Sequence, residues 1–194
     1  MSTDGLPVGP DGRPRCAWAG QAPIYTAYHD EEWGRPVHGE VALFERITLE
    51  AFQSGLSWLT ILRKRDGFRR AFAGFDPERV AAFDAGDVAR LMDDASIVRN
   101  GAKIRAAISN AAAVLRLRES GGLDALFWSF APDGDRPRPA SMDEVPATSP
   151  ESMALAKALK RNGFVFVGPT TAYAAMQACG VVDDHVAGCH VPRA

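Results

Sequence analysis

The sequence predicts an all-α fold, on three observations. Apolar residues recur at three-to-four spacing through most of the chain after residue 40, and proline and glycine stand where such segments would begin and end. The only strand-like run is "FVFVG", too little for a sheet. The first helix reads "EVALFERITLEAFQSGL", with Val41, Phe44 and Ile47 on one stripe. "SWLTILRKRDGFRRAFAGF" continues the pattern, and Asp76 followed by Pro77 supplies an N-cap and first-turn proline for the next helix. Gly86 and Asp87 open "DVARLMDDA", and a long helix runs through "AKIRAAISNAAAVLRLRES" until Gly121 and Gly122 stop it. From Ala131 to Ser152 five prolines and several acids predict an irregular connection, functional or mobile at that length. Ser149 and Pro150 begin a helix through "MALAKALKRNG", and Gly180 closes the last one, "PTTAYAAMQACG".

The 194 residues, 46% hydrophobic and 24% charged, suit one globular domain with a sizeable core. Residues 1–15 are rich in glycine and proline and lack an apolar signal core, so they are expected as a disordered leader, with a single domain over 16–194. No apolar stretch approaches the roughly 18 residues of a membrane span, and a cytoplasmic location is the default expectation. Three cysteines, an odd number, argue for metal binding or burial over a disulfide framework. The net charge of −2 favours neither nucleic acid nor membrane globally.

Four residues raise a metal site. Cys16 and His29 lie near one end, while His185 and Cys189, four apart near the other, would share a face if one helical turn joined them. Two thiolates and two imidazoles form a closed tetrahedral set of the kind that holds structural zinc. Single cysteines are also common as small core residues and lone histidines as hydrogen-bonding ones, so both readings stand at this point. His190 is a rival ligand, Cys179 reads as core, and Asp30 and Asp184 stand where they could orient the histidines.

Trp18, Tyr25, Tyr28, Trp33 and Trp58 crowd the first third of the chain, and Glu50 sits in the apolar context "ITLEAFQSGLSW". Such rings often only build cores. A carboxylate beside a box of π faces is nevertheless what a planar cation would favour. The stretch from Ser96 to Arg118 holds five basic residues and no acid. Its reading as helix, hairpin and helix would let Arg99, Asn100 and Lys103 receive a DNA phosphate at a helix N-terminus, although a basic run is usually a solvated face.

"CAWAGQAPIYTAYHDEEWG", "LEAFQSGLSWLTILRKR", "GFVFVGPTTAYAAMQACG" and "VVDDHVAGC", in this order, resemble the 3-methyladenine DNA glycosylase I family of the helix-hairpin-helix superfamily. The likeness covers nearly everything after residue 15; the longer leader, Ala51-Phe52 and the hairpin residues Ser96 and Asn100–Ala102 depart from it. It implies an all-α glycosylase in which one structural zinc, held by Cys16, His29, His185 and Cys189, joins the terminal segments. It further implies that Glu50 contacts the extruded base inside a pocket of Trp18, Tyr25, Tyr28 and Trp58, with Trp33 nearby. The activity it implies is hydrolysis of the N-glycosidic bond of 3-methyladenine in alkylated double-stranded DNA by a monomer, with no strand-cleaving lyase step. Lys103 is then a phosphate contact, and Gln53 and Leu56 are candidates to fill the gap left by the flipped base. Two other classes remain to be weighed: a zinc hydrolase, for which four protein ligands leave no place for water, and a noncatalytic damage-binding or protein-interaction module.

Overall fold

The computed structural model describes residues 5–134 and 136–193, and these residues form nine α-helices joined by turns and short 3-10 segments. The helices are α1 (Pro23–Glu31), α2 (Glu40–Gln53), α3 (Trp58–Ala71), α4 (Pro77–Ala81), α5 (Ala85–Asp93), α6 (Gly101–Leu117), α7 (Gly122–Trp128), α8 (Pro150–Arg161) and α9 (Pro169–Ala178). Among the described residues the only β pairing is an isolated bridge between Val8 and Pro14.

Helix α2 is the axis of the molecule, packing on α3, α6, α7 and α9. Its sequence explains this: Leu43, Phe44, Ile47, Leu49, Ala51 and Phe52 are all buried, too many for a surface helix with one apolar stripe. Edge-to-face and stacked rings of Phe44, Phe52, Phe68, Phe72 and Phe75 continue that core into α3 and the turn after it.

Helix starts follow the cues in the sequence. The Asp76 side chain accepts from the backbone of Glu78 and Arg79 ahead of Pro77, and Ser149 and Ser152 close a capping box ahead of α8. Helix α5 starts slightly before the expected Gly86, because Asp84 and Asp87 form a capping box of their own. The helix expected over 57–75 stops at Ala71, and Ala73, Gly74 and Phe75 take positive φ in a tight turn. The expected strand "FVFVG" is not one: Val165 and Phe166 are exposed in a loop, and Phe166 has φ +59°. Helices α1 and α7 have no counterpart in the helices read from the sequence.

The leader expected over 1–15 is replaced from Gly5 onward by a small hairpin; Met1 to Asp4 lie outside the described residues. Buried Arg15 holds it, bonding Asp11 within the hairpin and Asp30 on α1. At the other end, Gly34 and Val37 donate backbone hydrogen bonds to Gln177 and Cys179. A Cβ on Gly180 would sit 2.5 Å from the Arg35 backbone, so the absence of a side chain permits this close packing.

Candidate functional site: an aromatic cavity beside a Cys/His cluster

A cavity of about 300 Å³ opens between α1, α2 and α9. Trp18, on a 3-10 turn over Ala17–Gln21, lies edge-on to Tyr25 at 5.3 Å and to Trp33 at 5.1 Å. Tyr28 meets Trp58 at 5.4 Å. All five aromatic residues singled out in the sequence line this cavity, together with Glu50 and Gln53. The spacing explains the convergence: Tyr25 and Tyr28 are one turn apart on α1, Glu50 closes the last turns of α2, and Trp58 begins α3 behind its Ser57 N-cap.

Glu50 is 6% exposed, and burial pushes its carboxyl up to about 8, with Arg46 opposing the rise. Arg46 is one turn back on α2, over the Tyr28 ring at 5.8 Å, and gives its charge to Glu32 at 2.8 Å. Arg65 of α3 grips the same Glu32 through both carboxylate oxygens. The cavity therefore presents ring faces and one buried acid whose charge no side chain fully neutralises.

Residues that the sequence reading did not single out complete the wall. Thr170, Tyr173, Ala174 and Gln177 come from one face of α9, and Met142, Val145, Pro146 and Ala147 from the proline-rich connection. The 3.6-residue period of α9 was readable, but nothing local marked which face meets the cavity. Asp184, expected to orient a histidine, instead accepts hydrogen bonds from Tyr173 and Gln177 at 2.7 and 2.8 Å.

Cys16, His29, His185 and Cys189 come together, all buried, with ligand atoms within 4.8 Å of one another, and this group can hold a metal ion. The expected helical turn between His185 and Cys189 does not exist; the segment is an irregular loop in which Cys189 N bonds Val186 O. Hydrogen bonds set the direction of each imidazole. His29 donates from Nδ1 to Asp30 at 2.7 Å, which aims Nε2 at Cys189 Sγ, 3.5 Å away. His185 places Nε2 3.1 Å from the Trp33 carbonyl, leaving Nδ1 3.7 Å from Cys16 Sγ and 3.6 Å from Cys189 Sγ. His190 is not in the group: it bonds Asp30 at 3.0 Å. Cys179 is core, its thiol pushed up to about 12 by burial.

The hairpin between α5 and α6 departs from expectation at two residues. Lys103 does not face outward: it is 9% exposed, and Nζ donates to the carbonyls of Phe52 at 3.0 Å and Ser54 at 2.6 Å. The negative end of α2 draws it there. Asn100 caps its own helix, with Oδ1 accepting from Ala102 and Lys103, the very donors expected to meet a phosphate. Arg99 is exposed, and Leu56 is 42% exposed on the loop after α2.

A family model described as methyladenine glycosylase matches residues 18–192. DNA-3-methyladenine glycosylase 1 of Escherichia coli K12 is 49% identical over 177 residues, which are 90% of this chain and 95% of that protein. DNA-3-methyladenine glycosylase of Haemophilus influenzae is 43% identical over 90% of this chain and 96% of its own length. The solved 3-methyladenine DNA glycosylase I of Staphylococcus aureus, described for its recognition of 3-methyladenine, superposes with a TM-score of 0.87 at 34% identity, covering 93% of this chain and 97% of that one. A model matched over nearly the whole chain and relatives this similar in sequence and fold place it: the chain belongs to the methyladenine glycosylase family.

Proposed function

We propose that this protein is a base-excision-repair DNA glycosylase that hydrolyses the N-glycosidic bond of 3-methyladenine in alkylated double-stranded DNA, acting as a monomer with one domain over 16–194. The observation that carries this reading is Glu50, buried without a full counter-charge at the wall of an aromatic cavity. Methylation at N3 spreads a positive charge over adenine and weakens its bond to deoxyribose. The bond breaks with its electron pair going to the base, which leaves neutral, while the sugar passes through an oxocarbenium. Water adds to the anomeric carbon and loses a proton. Little acid catalysis is required, so discrimination against normal adenine is the larger task.

Extruding a base costs a few kcal/mol, least for a damaged one. Inside the cavity, the faces of Trp18, Tyr25, Tyr28, Trp33 and Trp58 favour a cation by roughly 0.5–2 kcal/mol per good contact. Glu50 adds hydrogen bonding to the adenine edge, and its carboxylate form compensates the lesion's charge and then that of the sugar. A neutral purine does not return the electrostatic gain and leaves the acid desolvated. Gln53 and Leu56 fill the vacated stack, and Arg99 contacts phosphate. Lys103, with its ammonium spent on two carbonyls, is not offered as a Schiff-base nucleophile.

Cys16, His29, His185 and Cys189 would hold one structural zinc. A tetrahedron with Zn–S near 2.3 Å and Zn–N near 2.1 Å has S···N edges of about 3.6 Å. The S···N separations of 3.5, 3.6 and 3.7 Å match that edge. Four protein donors close the shell, so the ion supplies cross-linking and no open position for chemistry. That is the feature disfavouring a metal hydrolase.

Incubating the protein with methylated duplex DNA and identifying the freed base tests the reading. Release of 3-methyladenine by the wild type, reduced at least tenfold in Glu50→Gln, is expected from the loss of one catalytic charge. Tight binding without release would identify a noncatalytic damage-binding module instead.

A further inference from the structure

Two exposed apolar tips stand on loops leading into the cavity wall, and only one has been given a role. Leu56 follows Gln53 by three residues, and Phe166 precedes Thr170 by four; Gln53 and Thr170 both line the cavity. Phe166 is 51% exposed with φ +59°, a left-handed conformation that a bulky residue adopts only when its surroundings impose it. Folding alone gains little by holding a half-exposed aromatic ring there.

What imposes it is Asn110 on α6, which is 1% exposed. Its Nδ2 donates to the Val165 carbonyl at 3.0 Å, and its Oδ1 accepts from the Val165 amide at 2.8 Å. A buried amide is thus committed to fixing the residue before Phe166. Lys103 on the same helix fixes the loop before Leu56. Positions 103 and 110 are two helical turns apart, so they share a face and stand roughly 10 Å apart along the axis. The helix begins beside exposed Arg99, and the stretch from Ser96 to Arg118 carries no acid. One rigid element therefore holds the loops that carry both tips, and it starts beside an exposed cation that a polyanion would meet.

We propose that Phe166 is a second DNA-contacting residue, packing its ring on the base stack next to the extruded nucleotide while Leu56 occupies the vacated space. The occupant is duplex DNA, chosen by exposed Arg99 at the start of the helix that anchors the tip and by the cavity that the same loop leads into. An aromatic face suits the task because every base offers a π surface, whatever the sequence. This inference rests on the glycosylase reading.

The test compares wild type with Phe166→Ala, Phe166→Leu and Phe166→Gly, the last removing the ring while relieving the backbone. Excision from methylated duplex, affinity for a duplex holding an abasic-site analogue, affinity for free 3-methyladenine, and melting temperature are measured together. Loss of one base–aromatic contact is expected to lower duplex affinity and excision roughly 5- to 100-fold in the Ala and Gly variants, less in Leu. Free-base affinity should hold constant. Unchanged duplex affinity in the Ala and Gly variants overturns the proposal, and so does a loss matched by an equal loss of free-base affinity, which would make Phe166 a pocket support. A wild type that excises nothing sinks the glycosylase reading, while the duplex-affinity ratio still decides on Phe166.

Discussion

Glu50 shows how one residue carries cost and purpose together. Burial outweighs the pull of Arg46 and pushes its carboxyl up to about 8. The folded value near 8 lies above the ordinary 4.5, so its contribution to stability is fully present below pH 4.5 and is lost as pH rises through about 8. Glu50→Gln removes that dependence. Thermal melting of the wild type should therefore fall relative to the variant between pH 5 and 9, by an amount equivalent to about a few kcal/mol. Parallel curves would mean that the acid is solvated in the folded protein. The apolar neighbours of Glu50 signalled its burial in the sequence; the Arg46–Glu32–Arg65 network beside it did not, since its members are separated by 14 and 33 residues from Glu32.

Among elements, the hairpin and its flanking helices show where local reading runs out. Helix α6 was legible from its period, although it gives way to a 3-10 turn at Arg118 before the expected glycine stop; the direction of Lys103 was not, because the carbonyls that attract it lie at the end of α2 and its cap, 51 and 49 residues away. Lys103→Met separates the two roles. If Lys103 holds the loop before Leu56, excision drops while the slope of log affinity against log salt is unchanged; a phosphate contact would reduce that slope by about one. The helix–hairpin contact is equally specific. A Cβ on Gly67 of α3 would lie 2.5 Å from the Ser96 carbonyl, so Gly67→Ala must separate α3 from the hairpin. Overpacking of this kind costs about 1–3 kcal/mol, and urea unfolding measures it. Helices α1 and α7 were not legible for related reasons: α1 is short with aromatic residues lining a cavity, and α7 begins at Gly122, directly after Gly121, which caps the 3-10 turn Arg118–Ser120.

For the whole molecule, the Cys/His group joins residues 160 and 169 positions apart, His29 with Cys189 and Cys16 with His185. Because the His185 ring also bonds the Trp33 carbonyl, a wall of the aromatic cavity hangs on the same junction. Verified removal of the proposed zinc is expected to lower the melting temperature and the affinity for free 3-methyladenine together, as calorimetry and fluorescence titration would show. Loss of stability with an intact pocket would confine the ion to closing the chain. The four residues were legible as a candidate metal set from their chemistry, and only the likeness to a family made that set an expectation. Spacing alone suggested a helical turn that the folded loop does not contain, since the fourth donor arrives by long-range packing.

All three cysteines are buried, two of them inside that cluster. Methylating electrophiles, the reagents that create 3-methyladenine, react best with accessible sulfur anions. An enzyme of this kind must keep working during the chemical assault that generates its substrate, and sealing its nucleophilic sulfurs from solvent denies the reagent its easiest target.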